Sequence, residues 1–206
     1  MIEDKITPEL KRRFIEDIKI TKDIGKERGF FFCENKEQKL IPAKSCEGTS
    51  CELLLGDPRK VCPPETKPYG DFHTHPYMHD AKVELKNRGE KIPPDEELRI
   101  RFNKNIREAH EKITGVKGIT VSSPSYTDIL LALLSKSNSM TKGTACTATD
   151  VEPDKVECWT IKDMDKDKLK IYAAYAFKEI QRKKLEEGEP IKKWIDDISE
   201  REIISL

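Results

Sequence analysis

The segment Gly70-Asp71-Phe72-His73-Thr74-His75-Pro76 holds two of the chain's four histidines within three residues. On an extended strand, residues i and i+2 project to the same face, so the imidazoles of His73 and His75 share one side. Two imidazoles and one carboxylate arriving from elsewhere make a three-ligand zinc site with a fourth position open, where a catalytic water sits. Asp71 lies on the same face and is a candidate to orient an imidazole through its second nitrogen; a surface or turn role fits it equally. Further along, Ser125-Tyr126-Thr127-Asp128 precedes the apolar run Ile129 to Leu134. Ser-x-x-Asp before such a run is a capping-box pattern, with Ser125 as N-cap and Asp128 satisfying a free amide. The two readings are compatible. A carboxylate in a first helical turn is favoured by the helix dipole and rigidly placed, which a metal ligand requires.

The elements that must position these residues follow from periodicity. Thr7-Pro8-Glu9 opens a helix over 7–26 with Leu10, Phe14 and Ile18 on one stripe. Phe30 to Cys33 reads as a short buried strand, returned through Glu34-Asn35-Lys36-Glu37 by Leu40 to Ala43 as a hairpin. Residues 46–50 read as a loop, 51–55 as a further strand, and the proline-rich 56–69 as an irregular connection. The histidine strand, 70–76, stops at Pro76. Residues 77–115 read as a charged, mostly helical insertion broken at Pro93-Pro94, with Asp95 capping a helix to about His110. Lys117 to Val121 reads as a strand, Ser125 opens an apolar helix, and Thr144 to Thr149 and Val156 to Ile161 are strands. An amphipathic helix over 166–187 and a last helix over 190–204 around Trp194 form a C-terminal extension from about 165. The order predicts one α/β domain over 1–206, a layered mixed β-sheet flanked by helices. His79 and His110 read as ordinary surface or helix residues, and Trp159 and Trp194 as packing residues.

Composition narrows the function classes. Lys plus Arg and Asp plus Glu number 38 each, so net charge offers no nucleic-acid footprint. No apolar run approaches the roughly twenty residues of a membrane span, and no apolar signal core follows Met1, so the expectation is a soluble cytoplasmic protein. The six cysteines include no Cys-x-x-Cys pair. Free thiols are the expectation, with a Cys46–Cys51 disulfide the alternative in a hyperthermophile.

Gly-x-x-His-Thr-His-Pro followed by Ser-x-x-Asp resembles the JAMM motif of MPN (JAB) domain zinc metalloproteases, whose pattern is an upstream Glu, then His-x-His-Pro, then Ser-x-x-Asp. The resemblance covers roughly residues 7–165. It implies a cytidine-deaminase-like α/β fold and Zn2+ as cofactor, held by His73, His75 and Asp128. It further implies that Ser125 stabilises the oxyanion and that an upstream Glu is the general base. Glu27, in Glu27-Arg28-Gly29, is the best match for that base, with Glu34 at the far end of the same strand as the fallback. The implied activity is hydrolysis of peptide or isopeptide bonds in a protein substrate, including conjugates of ubiquitin-like modifiers. The alternative is a non-catalytic MPN-type scaffold or interaction module. The chain departs from the family pattern in two places: residues 77–124 separate His-Pro from Ser where the family has a much shorter gap, and Glu27 stands slightly closer to its glycine than usual. An insertion beside a site suits a lid, a substrate-binding arm or a dimer contact.

Two other hydrolase classes fit less well. Asp71-Phe72-His73-Thr74-His75 also resembles the first metal strand of amidohydrolase-like and PHP-type barrels. Those need several further histidines, and the chain after His75 is too short for the rest of a barrel of about 250 residues. The His-x-Glu and Pro-Cys-x-x-Cys elements of a zinc deaminase are absent.

Overall fold

The structure is a computed structural model and describes residues 1–48, 55–114, 120–183 and 197–206. Its elements run α1 (Pro8–Ile24), β1 (Arg28–Glu34), β2 (Leu40–Pro42), β3 (Cys46–Glu47), α2 (Pro58–Val61), β4 (Lys67–His75), α3 (Tyr77–Asn87), α4 (Asp95–Thr114), α5 (Tyr126–Ser137), β5 (Thr144–Thr149), β6 (Lys155–Ile161), α6 (Lys166–Lys183) and β7 (Ser199–Ser205). The strands form one seven-stranded sheet ordered β2-β1-β4-β5-β6-β7, with β3 also paired to β1. Only β4 and β5 run parallel; every other pairing is antiparallel. This is the mixed α/β sheet flanked by helices that the element order predicts.

Strand alternation divides the sheet between two apolar layers. On one face Phe30, Phe32, Phe72, Cys146, Ala148, Val156 and Ile204 pack under Leu10, Phe14 and Ile18 of α1. Phe72 is fully buried, its ring 4.6 Å from that of Phe14 and 5.2 Å from that of Phe30. On the other face Ala145, Trp159 and Ile161 pack under Ile129, Leu130 and Leu133 of α5 and Ala176 of α6. A third cluster of Met78, Leu98, Val121 and Val151 seats α3 and α4 beside the sheet. His73 and His75, of opposite parity to Phe72, face the α5 side.

Local chemistry explains the boundaries near the site. Thr7 accepts the Leu10 amide at the start of α1, as its Thr-Pro signature requires. Gly25 ends α1 in the left-handed region at φ 66°, and a Cβ there would meet the His79 ring at 2.1 Å. Gly70 lets β4 close on β5: a Cβ would stand 2.3 Å from the Thr144 carbonyl oxygen. The carboxylate of Asp150, just past β5, accepts the Met78 and His79 amides and so caps α3, whose own N-cap residue is a proline.

Several expectations are corrected. The final segment is strand β7 over Ser199–Ser205 rather than a helix to 204, because β6 offers an open edge and all seven residues pair with it; Trp194 and the rest of 190–196 lie outside the described residues. Residues 46–47 form a short strand, not a loop, paired to Arg28 and Gly29. The histidine strand begins at Lys67, and Pro58–Val61 is a helical turn within the supposed irregular connection. Thr120 and Val121 lie outside any strand, in and beside a turn, with the rest of the expected strand 117–121 outside the described residues; of the expected strand 51–55 only Leu55 is described, and it is not in a strand. The insertion is helical and breaks at Pro93-Pro94 as expected, its second helix reaching Thr114. The cysteines are not all free: Cys33 pairs with Cys62, and Cys146 with Cys158, while Cys46 is free and Cys51 is outside the described residues. The strand register puts Cys146 directly opposite Cys158. Among the described residues no helix is long and apolar enough to cross a membrane.

Candidate metal centre

β4 lies inside the sheet, between β1 and β5, so both backbone edges of the histidine strand are held. Its register sets Gly29 opposite His73, and Glu27, just before β1, reaches His75 with its carboxylate. From the other direction, α5 begins over the same strand ends. Ser125 accepts the Asp128 amide at 3.3 Å, and Asp128 Oδ2 accepts the Ser125 amide at 2.7 Å, a complete capping box. The capping-box reading of Ser-x-x-Asp is what the structure holds, and the cap that fixes the helix also fixes the Asp128 carboxylate.

His73, His75 and Asp128 come together, each offering one ligand atom, and those atoms lie within 4.8 Å of one another. His73 Nε2 stands 3.5 Å from Asp128 Oδ2. A tetrahedral ion with ligand bonds of about 2.0–2.2 Å separates its ligands by about 3.3–3.6 Å. That edge already fits, and the His75 nitrogen, within 4.8 Å of the other two ligand atoms, needs to close by about 1.5 Å at most. The two imidazoles stand edge to face, centroids 4.9 Å apart.

Each imidazole also faces a carboxylate through Nδ1. His75 Nδ1 is 3.1 Å from Glu27 Oε1, and His73 Nδ1 is 3.7 Å from Asp71 Oδ2. Engaging Nδ1 leaves Nε2 for a metal and fixes the ring plane, the usual outer support of a histidine ligand. Tyr77 completes the support, its ring stacked on His75 at 5.1 Å with the planes 2° apart. Tyr77 is the first residue of α3, so the insertion buttresses the site from behind.

Charge is concentrated here. Burial alone raises the Asp128 carboxyl, but the His73 ring, His75 and the Ser125 side chain outweigh it and hold the group well below the usual carboxylate range. Burial lowers the His73 imidazole, yet Asp128 and Asp71 together push it well above the ordinary histidine value of 6.5. Burial raises the Asp71 carboxyl, partly offset by His73. The Tyr77 phenol is driven upward by burial and by Asp128 and Glu27.

These side chains open into a cleft of about 880 Å3. Glu27, Asp71, His73, His75, Ser125 and Asp128 form its polar end, and Phe31, Leu55, Pro58, Leu131 and Met140 its apolar walls. Cys33–Cys62 ties the wall at Pro58 back to β1. Among the described residues that line it, none comes from 77–114. Glu34, the fallback base, sits at the other end of β1 in an ion pair with Lys5 at 2.7 Å. His79 packs against Gly25 and donates its amide to Asp150, away from the ligand set. Sequence reasoning missed Tyr77 and Glu157, the latter a fully buried carboxylate on β6; a ring directly after His-x-His-Pro was the available signal for the first.

Comparison with protein-family models, curated proteins and solved structures finds no match for this chain.

Proposed function

We propose that the protein is a zinc-dependent metallopeptidase that hydrolyses peptide or isopeptide bonds in protein substrates, including those to ubiquitin-like modifiers. The observation that carries this reading is the convergence of His73, His75 and Asp128 at the polar end of an open cleft, with Glu27 and Ser125 alongside. Two imidazoles and one carboxylate are the donor set of a catalytic zinc site with a vacant corner. Bound zinc would supply Lewis-acid polarisation of the scissile carbonyl and activation of a water. Glu27, 95% buried at the cleft edge, accepts the proton of the attacking water at its carboxylate and returns it to the departing amine. Ser125 Oγ accepts the Asp128 amide and stands beside the Asp128 carboxylate, at the polar end of the cleft, where its hydroxyl is placed to turn toward the developing oxyanion. Among the described lining residues there is no Lys or Arg to hold a terminal carboxylate. That supports attack on internal or side-chain amides rather than trimming from a C-terminus.

A second reading has its own support. Glu27 stands 3.1 Å from His75 Nδ1, where it orients a ligand. A chain in which Glu27 does only this is a metal-binding interaction module of the MPN type, without hydrolysis.

The deciding experiment incubates zinc-reconstituted protein with linear and isopeptide-linked fusions of a ubiquitin-like modifier. Cleavage that chelation abolishes, zinc restores and His75→Ala removes is expected. A fully zinc-loaded protein that cuts none of them contradicts the enzymatic reading and leaves the module.

A further inference from the structure

We infer that Glu157 is a positioning residue of the metal centre: it anchors the crossing segment that fixes where Asp128 stands relative to His73. This rests on the metal-centre reading above. The strand registers align Gly29, His73, Thr147, Glu157 and Ile203 in a single row across β1, β4, β5, β6 and β7. Residues in one row project to one face, at about 4.8 Å per strand. Residues 120–128 cross that face and touch the row at three successive strands.

At β6, Glu157 Oε2 accepts the Thr120 amide at 3.1 Å and the Thr120 hydroxyl at 2.7 Å. At β5, the Thr147 hydroxyl donates to the Ser122 carbonyl. At β4, Asp128 Oδ2 reaches His73 Nε2. The Thr120 hydroxyl also accepts the Ser122 amide at 3.1 Å, which locks the first two anchors together. Glu157 is 0% exposed, and its other oxygen takes Trp159 Nε1 at 2.9 Å and Arg201 Nε at 3.1 Å. The C-terminal strand β7, which carries Arg201, is thereby part of the support of the metal ligand.

The chemistry demands a carboxylate. Both oxygens receive pairs of N–H or O–H donors, so in Glu157→Gln the carboxamide nitrogen must face donors in either orientation. One side of the anchor is released and the crossing segment loosens. The expected result is a zinc affinity lowered roughly tenfold or more at a temperature well below unfolding, the scale on which outer supports of a metal ligand act. In the metal-free protein, the Asp128 amide, which donates to Ser125 Oγ, exchanges its hydrogen faster.

Ile18→Ala, in the apolar layer on the opposite face, is the control: it lowers thermal stability without moving zinc affinity or Asp128 exchange. Thr120→Val, which removes one hydroxyl, gives a smaller loss in the same direction and carries the test should Glu157→Gln fail to fold. Zinc affinity and Asp128 exchange unchanged in the variant that folds, or changed equally in Ile18→Ala, overturns the inference. If wild-type protein binds no zinc, the metal-centre reading fails by itself and the exchange rate of Asp128 decides the anchor.

Discussion

Glu27→Gln separates two roles that the geometry superimposes on one carboxylate. The substitution keeps size and burial and removes the charge at 3.1 Å from His75 Nδ1. As an orienting partner, Glu27 fixes the ring plane and strengthens the imidazole as a donor, and losing such a partner lowers metal affinity about 10- to 100-fold, or about 1.4–2.7 kcal/mol. As the general base, Glu27 is needed in the rate at saturating zinc, where losing a positioned base costs about 100- to 10,000-fold. A carboxamide still accepts an Nδ1 proton, so the affinity loss belongs at the lower end of its range, while the rate loss is undiminished because an amide cannot take the proton. The assay is a competitive zinc titration against a chromophoric chelator, followed by hydrolysis at saturating zinc. We expect a modest affinity loss with a large rate loss. Zinc affinity and rate both unchanged would refute any role for Glu27; affinity lost with rate retained would make it an orienting residue only.

Protonation gives a second prediction. His73, raised in the folded state, adds stability that is fully present below its unfolded value of 6.5 and is lost as pH rises through the higher folded value. Asp128, lowered in the folded state, adds stability present above its unfolded value of 3.8 and lost only in strong acid. The metal-free protein therefore draws most from this pair between pH 4 and 6.5 and weakens above that window. Zinc competes better as His73 deprotonates, so the rise in Tm on adding zinc grows with pH across the same range; calorimetry at a series of pH values showing a flat or shrinking difference would contradict this. In the core, Phe72→Ala removes a fully buried ring beside Phe14 and Phe30 and should cost about 3–5 kcal/mol. Denaturant unfolding that finds less than about 1 kcal/mol would show this layer to be mispacked.

The histidine strand was legible because strand parity is a local property. Phe72 and Thr74 turn to the α1 face and His73 and His75 away from it, as the alternation alone requires. The same holds for Ser125 and Asp128, whose capping box is written in four residues. What was not legible depends on partners distant in sequence. Residues 199–205 carry no strong strand pattern and become a strand because β6 has a free edge. Cys146 faces Cys158 only through the β5–β6 register. Glu157 carries no signal of its own in the Val156–Ile161 strand, and its role shows only where Thr120, Trp159 and Arg201 converge on it. Glu27, the better sequence match for the base, and Glu34, the fallback, are separated by their places at opposite ends of β1, which bring one to His75 and the other to Lys5.

X-ray absorption at the zinc edge on reconstituted protein tests the centre most directly. One zinc per chain is expected, in a shell of nitrogen and oxygen at about 2.0–2.2 Å, with imidazole scattering that diminishes in His73→Ala. A shell containing sulfur at about 2.3 Å, drawn from the chain's cysteines, or a protein that retains no zinc, would contradict it.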